Sequence, residues 1–218
     1  MILKSKALFL TLLFFVCSAV TIYAHEVFYN PATSSSVALR WQDKTTSYLN
    51  VPTNGDYLNS TYTSVYSNAV SAWNGSPYVK ASSTGFGSSK VDFATPTTNF
   101  WQQTFPNYSD YITILGITFI YDTNSAQIST YSTAFNSTRK IKSAQIYITP
   151  LSNNQTATQR TQTLTHEMGH AIGLGHSDNS SYAPIASSTQ SIMRTSGPLN
   201  YYTPQTHENN DLKAMYGF

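Results

Sequence analysis

The chain has 218 residues, of which 10% are charged and 14% aromatic, a composition that excludes a highly charged disordered chain and suits one domain with a sizeable core. Its formal charge of +2 comes from Lys4 and Lys6, so the chain beyond its first two dozen residues is formally neutral. A neutral surface does not attract nucleic acid or anionic lipid, and we expect neither as a partner. The single cysteine, Cys17, lies in that first segment, which leaves the remainder without a disulfide, a thiolate metal ligand or a cysteine nucleophile.

The first 24 residues resemble a removable secretory signal. Two lysines precede the apolar residues 7–20, and Ala24 offers a small residue at the cut. Residues 7–24 are 18 residues without a charge, near the minimum of about 17 residues for a membrane span, so an uncleaved anchor is the alternative. Leu and Phe concentrate in the first half of this stretch, which favours cleavage. We therefore predict a signal peptide at residues 1–24 and a secreted domain at residues 25–218, without a stable membrane anchor.

The hydrophobic pattern of the remaining chain predicts strands and helices in alternation. Five strands are predicted, at residues 37–51, 78–82, 112–121, 129–135 and 142–149. A turn is predicted at Pro52, Asn54 and Gly55, and then a helix from Asp56, as its cap, to Trp73. A second helix follows the turn at residues 150–154 and ends near residue 173, and a terminal helix covers residues 208–216.

Residues 166–176 read His-Glu-Met-Gly-His-Ala-Ile-Gly-Leu-Gly-His. On a helix, His166 and His170 lie one turn apart on the same face, where both imidazoles can bind one zinc ion. His176 can join that ion only if the helix ends and the chain reverses. Gly173 lies where this end is required, because glycine adopts a positive φ without a Cβ clash. Three histidine ligands leave the fourth zinc position open, as in catalytic sites.

Glu167 follows the first predicted ligand and can reach a water molecule at the open position without binding the metal itself. It would act as general base while water attacks a peptide carbonyl, and would then protonate the leaving amine. A structural zinc site is the first alternative, but such sites usually have four protein ligands, and the cysteines are absent. His207, in the terminal helix, is expected at the surface. An accidental motif is the second alternative, expected on the order of once in 10⁵ such chains or less.

The histidine motif and a methionine downstream resemble the metzincin signature of zinc endopeptidases. Residues 191–194, Ser-Ile-Met-Arg, resemble the Met-turn, in which Met193 would form the apolar floor beneath the metal. Within the metzincins the chain is most similar to the matrixins, the family of the matrix metalloproteinase catalytic domain. Ser177 after the third histidine, the ending Asp211–Gly217 and the first-strand residues Leu39-Arg40-Trp41 carry this resemblance, which spans about residues 37–217.

The resemblance implies an α+β fold of the zincin and metzincin type. In that fold a twisted, mixed, mostly parallel five-stranded sheet carries an active-site helix, a Met-turn and a C-terminal helix. It implies a monomer with protein or peptide substrates, bound in a cleft along the edge strand of the sheet. We place this edge near residues 129–135, and the wall of the specificity pocket at residues 197–204, with Tyr201 and Tyr202.

The chain also departs from the matrixins. No histidine lies between His25 and His166, so the second, structural zinc of animal matrixins is missing. Acidic runs for calcium are absent, and Asp122 with Asn124 is the one candidate pair, which leaves calcium possible but unsupported. Thr195 stands where animal matrixins have proline and astacin-like metzincins have a tyrosine ligand.

The sequence thus predicts a secreted zinc-dependent endopeptidase, a hydrolase of peptide bonds. The alternative is a non-catalytic, zinc-containing binding or surface protein on a metzincin scaffold. Loss of the glutamate or of a metal ligand would mark such a protein, and neither is lost here.

Overall fold

A computed structural model describes residues 40–104, 114–128, 140–177, 190–195 and 201–218. Within these ranges the strands are β1 (Arg40–Trp41), β2 (Leu49–Tyr57), β3 (Val79–Ser83), β4 (Val91–Ala94), β5 (Gly116–Asp122) and β6 (Lys140–Ile148). The helices are α1 (Ser60–Asn74), α2 (Thr98–Thr104), a short 3-10 helix (Pro150–Asn154), α3 (Ala157–Ala171) and α4 (Thr206–Tyr216).

The strands form one mixed, mostly parallel sheet. β1, β6, β4, β2 and β3 are neighbours in that order through parallel pairs, whereas β5 runs antiparallel beside β6. The register of this antiparallel pair starts at Gly116 opposite Ile148. The predicted mixed, mostly parallel architecture is confirmed, but the described sheet has six strands, because β1 is separate from β2 and β4 was not predicted. The predicted edge strand at residues 129–135 lies outside the described residues.

The predicted first strand is split in two by a polar turn. Between β1 and β2, the hydroxyl of Thr45 accepts hydrogen bonds from the backbone N–H groups of Ser47 and Tyr48. Side chains of this kind offer the backbone an alternative to strand pairing, so the extended run is interrupted there. The prediction of a single strand across residues 37–51 is therefore wrong for residues 42–48, and residues 37–39 lie outside the described part of the chain.

The predicted turn at Pro52, Asn54 and Gly55 is also wrong, because all three residues lie inside β2. Pro52 still offers its carbonyl oxygen, which accepts from the N–H of Lys90, 2.9 Å away. A Cβ on Gly55 would lie 2.8 Å from the ring of Tyr66 in α1, so this glycine allows a helix to approach the sheet closely.

The α1 helix begins later than predicted, and two short elements were missed. Asn59, not Asp56, caps α1, and its side-chain oxygen accepts from the N–H of Thr61. β4 and α2 were not predicted, since each is too short to show a period clearly. α4 begins at Thr206, two residues before the predicted start.

The main core lies between the sheet and helices α1, α3 and α4. Trp73 of α1 donates its indole N–H to the carbonyl oxygen of Thr165 in α3, at 2.9 Å. Tyr216 of α4 accepts from the N–H of Trp41 and donates to the carbonyl oxygen of Ile172, which connects α4 to β1 and to the end of α3. None of the helices in the described part of the chain has the length and hydropathy needed to cross a membrane.

Candidate metal centre

α3 carries two of the predicted ligands within the core. A reciprocal capping box starts the helix, in which the Thr156 hydroxyl accepts from the N–H of Gln159 and the Gln159 side chain accepts from the N–H of Thr156. From Thr161 to Ala171 every residue of the helix is buried. His166, Glu167 and His170 therefore lie in a low-dielectric environment, because other parts of the fold pack around this helix.

The chain reverses directly after α3. Gly173 has a φ of 97°, in the left-handed region that favours glycine. The N–H of Gly173 donates to the carbonyl oxygen of His170, and the N–H of Leu174 donates to that of Gly169. This termination directs the chain back, so that His176 returns to the face that carries His166 and His170.

The three histidine side chains converge. The Nε2 atom of His170 lies 3.0 Å from that of His166 and 3.2 Å from that of His176. Tetrahedral zinc with zinc–nitrogen bonds of about 2.0–2.1 Å would place such nitrogens about 3.3 Å apart. All three residues are buried, and within the described part of the chain they form a group that could hold a metal ion. The donor set and its spacing fit zinc.

Backbone carbonyls fix two of the imidazoles. The Nδ1 of His166 lies 2.8 Å from the carbonyl oxygen of Ile192, and that of His170 lies 2.8 Å from the carbonyl oxygen of Leu174. Each Nδ1–H donates to its carbonyl, which leaves the Nε2 lone pair directed at the shared centre. Burial lowers the pKa values of His170 and His176 well below the ordinary value of a histidine, and the nearby His166 lowers both further. Both rings are therefore neutral, as metal ligands must be.

Glu167 lies fully buried beside this group. Burial raises its pKa to about 8, and a hydrogen bond from Thr118 opposes part of that rise. The hydroxyl of Thr118, in β5, lies 2.6 Å from Oε2, whereas Oε1 has no hydrogen-bond partner in the described residues. A buried carboxylate with one free oxygen is suited to take up and release a proton.

The predicted Met-turn packs under α3. Met193 is 2% exposed, and its backbone carbonyl accepts from the N–H of Ser177, directly after the third histidine. A Cβ on Gly169 would lie 2.3 Å from the Met193 sulfur, so the methionine side chain occupies the space that an ordinary residue would fill there. The methionine thus lies against the helix between His166 and His170.

A buried carboxylate of α4 holds this turn in place. Ser191 donates to Glu208 Oε1 at 2.5 Å, and its hydroxyl oxygen accepts from the N–H of Met193 at 3.0 Å. The other carboxylate oxygen of Glu208 accepts from the N–H of Gln205 at the start of α4. Glu208 is fully buried, and through Ser191 it fixes the turn whose Ile192 carbonyl orients His166.

Other candidate residues make contacts of their own. Tyr202 is 53% exposed and lines a cavity of about 490 Å³ between α1 and the start of α3, which no histidine lines; Tyr201 does not line it either. Asp122 accepts at Oδ1 from two backbone N–H groups of the turn after β5, so this oxygen closes the turn. His207 pairs with Asp211, with 3.3 Å between Nε2 and Oδ2.

Sequence reasoning missed four residues of this centre. Gly116 and Thr118 come from a strand distant in sequence, and nothing in the local pattern marks them. Gly169 carried a usable signal, because an interior helix glycine costs about 1 kcal/mol relative to alanine and indicates a close approach. Glu208 carried a weaker one, as an acidic residue in the first turn of a helix.

Comparisons with known proteins support the fold. No family model matches the sequence, and no curated protein sequence matches it. A solved structure of myroilysin aligns over 92% of both chains, with a TM-score of 0.51 and 10% identity. Another myroilysin structure covers 89% of this chain and 100% of its own, with a TM-score of 0.44 and 13% identity. High choriolytic enzyme 1, a hatching enzyme zinc-protease from the medaka fish Oryzias latipes, covers 84% of this chain and 96% of its own, with a TM-score of 0.47 and 12% identity.

At 10% identity the likeness to myroilysin shows a shared fold. The chain has a zincin or metzincin-type fold, as the sequence predicted. The narrower resemblance to the matrixins is not shown by this likeness.

Proposed function

We propose that this protein is a zinc-dependent endopeptidase. The observation that carries the proposal is the convergence of three buried imidazole nitrogens, 3.0 and 3.2 Å apart, beside a buried carboxylate. His166, His170 and His176 would hold one zinc ion, and Glu167 would be the general base. The metzincin-type fold supports the same reaction class.

The residues of the chain divide the work of hydrolysis between them. Zinc, when bound, would polarise a substrate carbonyl and make a water molecule more acidic. Glu167 accepts a proton from the attacking water at its free Oε1 as the water oxygen bonds to the carbonyl carbon. It then passes that proton to the amine nitrogen as the carbon–nitrogen bond breaks, so the products are a carboxylic acid and an amine. The other carboxylate oxygen, Oε2, accepts a hydrogen bond from Thr118.

The sequence places the substrate-binding edge near residues 129–135, outside the described residues; we propose that substrate binds as an extended segment beside the start of β5. The start of this strand, Gly116–Thr118, lies against Glu167, so a peptide paired with it would bring a backbone carbonyl close to the base. Strand pairing uses only main-chain hydrogen bonds of the substrate, which any protein or peptide can offer. We keep Tyr201 and Tyr202 as proposed walls of the specificity pocket, on the resemblance to matrixins alone.

The remaining parts of the proposal come from the sequence. Removal of residues 1–24 as a signal peptide and secretion of residues 25–218 as a monomeric catalytic domain are supported by the basic start and apolar stretch of the leader. A matrixin-like subfamily is supported by Ser177 and by the ending Asp211–Gly217.

The test is zinc content and casein cleavage of residues 25–218, with Glu167→Gln and Glu167→Ala. We expect one zinc per chain in all forms and a loss of cleavage of at least about 10³-fold in both variants. Asp56→Asn, a carboxylate-to-amide change at an exposed position, is the matched control and should cleave normally.

Each contrary result has its own meaning. Undiminished cleavage by Glu167→Ala would exclude the proposed base. Stoichiometric zinc without cleavage of a broad peptide library would favour the non-catalytic binding protein. A chain without stoichiometric zinc in zinc-replete buffer would overturn the metal centre itself.

A further inference from the structure

We propose that Thr118 is a positioning residue that holds Glu167 for proton transfer, and that Gly116 keeps open the space this carboxylate occupies. The inference deepens the proposed function and rests on it for the role of Glu167. It concerns two residues of β5, a strand remote in sequence from the histidine motif.

The contact between Thr118 and Glu167 is short and buried. Thr118 Oγ1 lies 2.6 Å from Glu167 Oε2 and 3.0 Å from the backbone carbonyl oxygen of the same residue. Thr118 is 1% exposed and Glu167 0%, so no bulk solvent competes for either group. While Glu167 is ionised, this is a hydrogen bond to a charged acceptor in buried surroundings, which is among the stronger ones in proteins.

The contact makes the two carboxylate oxygens of Glu167 inequivalent. Oε2 is anchored by the threonine, whereas Oε1 is buried without a hydrogen-bond partner in the described residues. A buried acceptor without a partner is costly and calls for an explanation. Reaction with a water molecule explains it, because the free oxygen is the one that can accept the proton. Thr118 therefore determines which oxygen is available.

Gly116 lies two residues before Thr118 in β5 and also contacts Glu167. Residues 116 and 118 point to the same side of β5, which here is the side that faces α3. A Cβ on Gly116 would lie 2.8 Å from both Cγ and Oε1 of Glu167 and 2.9 Å from Cδ. These atoms belong to the flexible end of a side chain, so an added methyl group would displace the carboxylate rather than the backbone.

A hydroxyl group suits this position for a second reason. It has one proton and two lone pairs, and Thr118 faces two oxygens of Glu167. It can donate to Oε2 while Glu167 is a carboxylate. Once Oε1 holds the transferred proton, Oε2 is still an acceptor, and the threonine can go on donating to it or donate to the backbone carbonyl instead. The anchor thus persists through the reaction, and valine, of the same shape, would supply neither bond.

A purely structural role makes a different prediction. If Thr118 served only to satisfy the Glu167 carbonyl, its loss would lower stability and leave the turnover rate of the folded enzyme unchanged. Thr53 provides the matched comparison. It is fully buried in β2 and bonds to the Tyr66 hydroxyl at 2.6 Å and to the Ser82 carbonyl at 3.1 Å.

The experiment compares Thr118→Val, Thr118→Ser, Gly116→Ala and Thr53→Val in zinc-loaded residues 25–218. For Thr118→Val and Gly116→Ala we expect kcat to fall about 10- to 100-fold, with KM changed by no more than about twofold. Thr118→Ser should recover most of the rate, because it keeps the hydroxyl. Thr53→Val should lose thermal stability and keep its kcat. Zinc content should stay at one per chain in all four.

Two results would overturn the inference while the proposed function stands. One is a Thr118→Val enzyme with the kcat of Thr53→Val; the other is a Thr118→Ser enzyme as slow as Thr118→Val. If the wild type does not cleave, or if Glu167→Gln cleaves normally, the proposed function fails first. In that case crystal structures of Thr118→Val and Gly116→Ala still test the positioning role. A Glu167 carboxylate unmoved in both variants would refute it, and a displaced carboxylate would support it.

Discussion

The substitution Gly169→Ala tests whether packing against Met193 has a larger effect on stability than helix propensity. At an exposed position inside a helix, this change would stabilise the protein by about 1 kcal/mol. In α3, however, the new Cβ would lie 2.3 Å from Sδ and 2.9 Å from Cε of Met193, and 3.2 Å from Cζ2 of Trp73. Carbon atoms in contact lie about 3.5–4.0 Å apart, so the methyl group fits only if the methionine moves.

The two effects oppose each other, and their sizes decide the sign. Forcing an extra methyl group into a well-packed core costs about 1–3 kcal/mol, against the gain of about 1 kcal/mol in propensity. Because Met193 is 2% exposed and Trp73 0%, neither side chain can move out into solvent, and we expect the upper part of that range. The net loss of about 1–2 kcal/mol corresponds to about 2–8 °C in Tm for a domain of this size.

Urea and thermal unfolding of the chelated protein measure this change, so that zinc binding does not contribute. A double-mutant cycle with Met193→Ala isolates the contact: once the methionine side chain is gone, Gly169→Ala should become neutral or stabilising. Gly85→Ala is the control, since a Cβ there meets nothing within 4 Å. If Gly169→Ala raised stability by about 1 kcal/mol in the wild type, or if the cycle showed no coupling beyond about 0.5 kcal/mol, the packing argument would be refuted.

Three further predictions concern α4 and the metal. Glu208→Gln weakens the hydrogen bond from Ser191, so it should lower the free energy of unfolding by about 1–3 kcal/mol. It should also lower zinc affinity about 10-fold or more, measured by chelator competition. Unchanged zinc affinity would show that α4 does not influence the metal site. Burial, aided by the Glu208 charge and opposed by His207, raises the pKa of Asp211 from 3.8 to about 6, so its stabilisation is complete below pH about 4 and is lost as the pH rises through 6. Asp211→Asn should thus be more stable than the wild type at pH 8 by about 1–3 kcal/mol, with no such gap at pH 4 in urea titrations. Chelation should lower Tm, and zinc at 1,000 times its Kd should restore it by raising the free energy of unfolding by about 4 kcal/mol. Equal melting curves with and without zinc would contradict specific binding.

The parts of the site that the sequence predicts are those set by local geometry. His166 and His170 share a helix, and their relative placement follows from its 3.6-residue turn. The return of His176 follows from the positive φ that Gly173 allows. Each inference concerns residues within eleven positions of one another, where backbone geometry leaves few alternatives.

The parts that escaped prediction depend on contacts across the fold. Thr118 and Glu167 are 49 residues apart in sequence, and their contact exists only because β5 lies beside β6, under α3. A threonine in an apolar, β-branched run looks the same whether it faces a carboxylate or another threonine. The turn wrongly predicted around Gly55 failed for a related reason, because this glycine serves the close approach of Tyr66 and not a change of direction.

The same distinction explains why the centre extends well beyond its motif. A helix can place two imidazoles side by side, but it cannot choose which ring nitrogen carries the proton or which carboxylate oxygen is free. Residues outside the helix determine both. The carbonyl of Ile192 accepts the Nδ1–H of His166, and the hydroxyl of Thr118 donates to Oε2 of Glu167. Ile192 in turn lies between Ser191 and Met193, which the buried Glu208 fixes from α4. Substitutions in β5 should therefore act on proton transfer and substitutions in α4 on metal binding, although neither element carries a metal ligand.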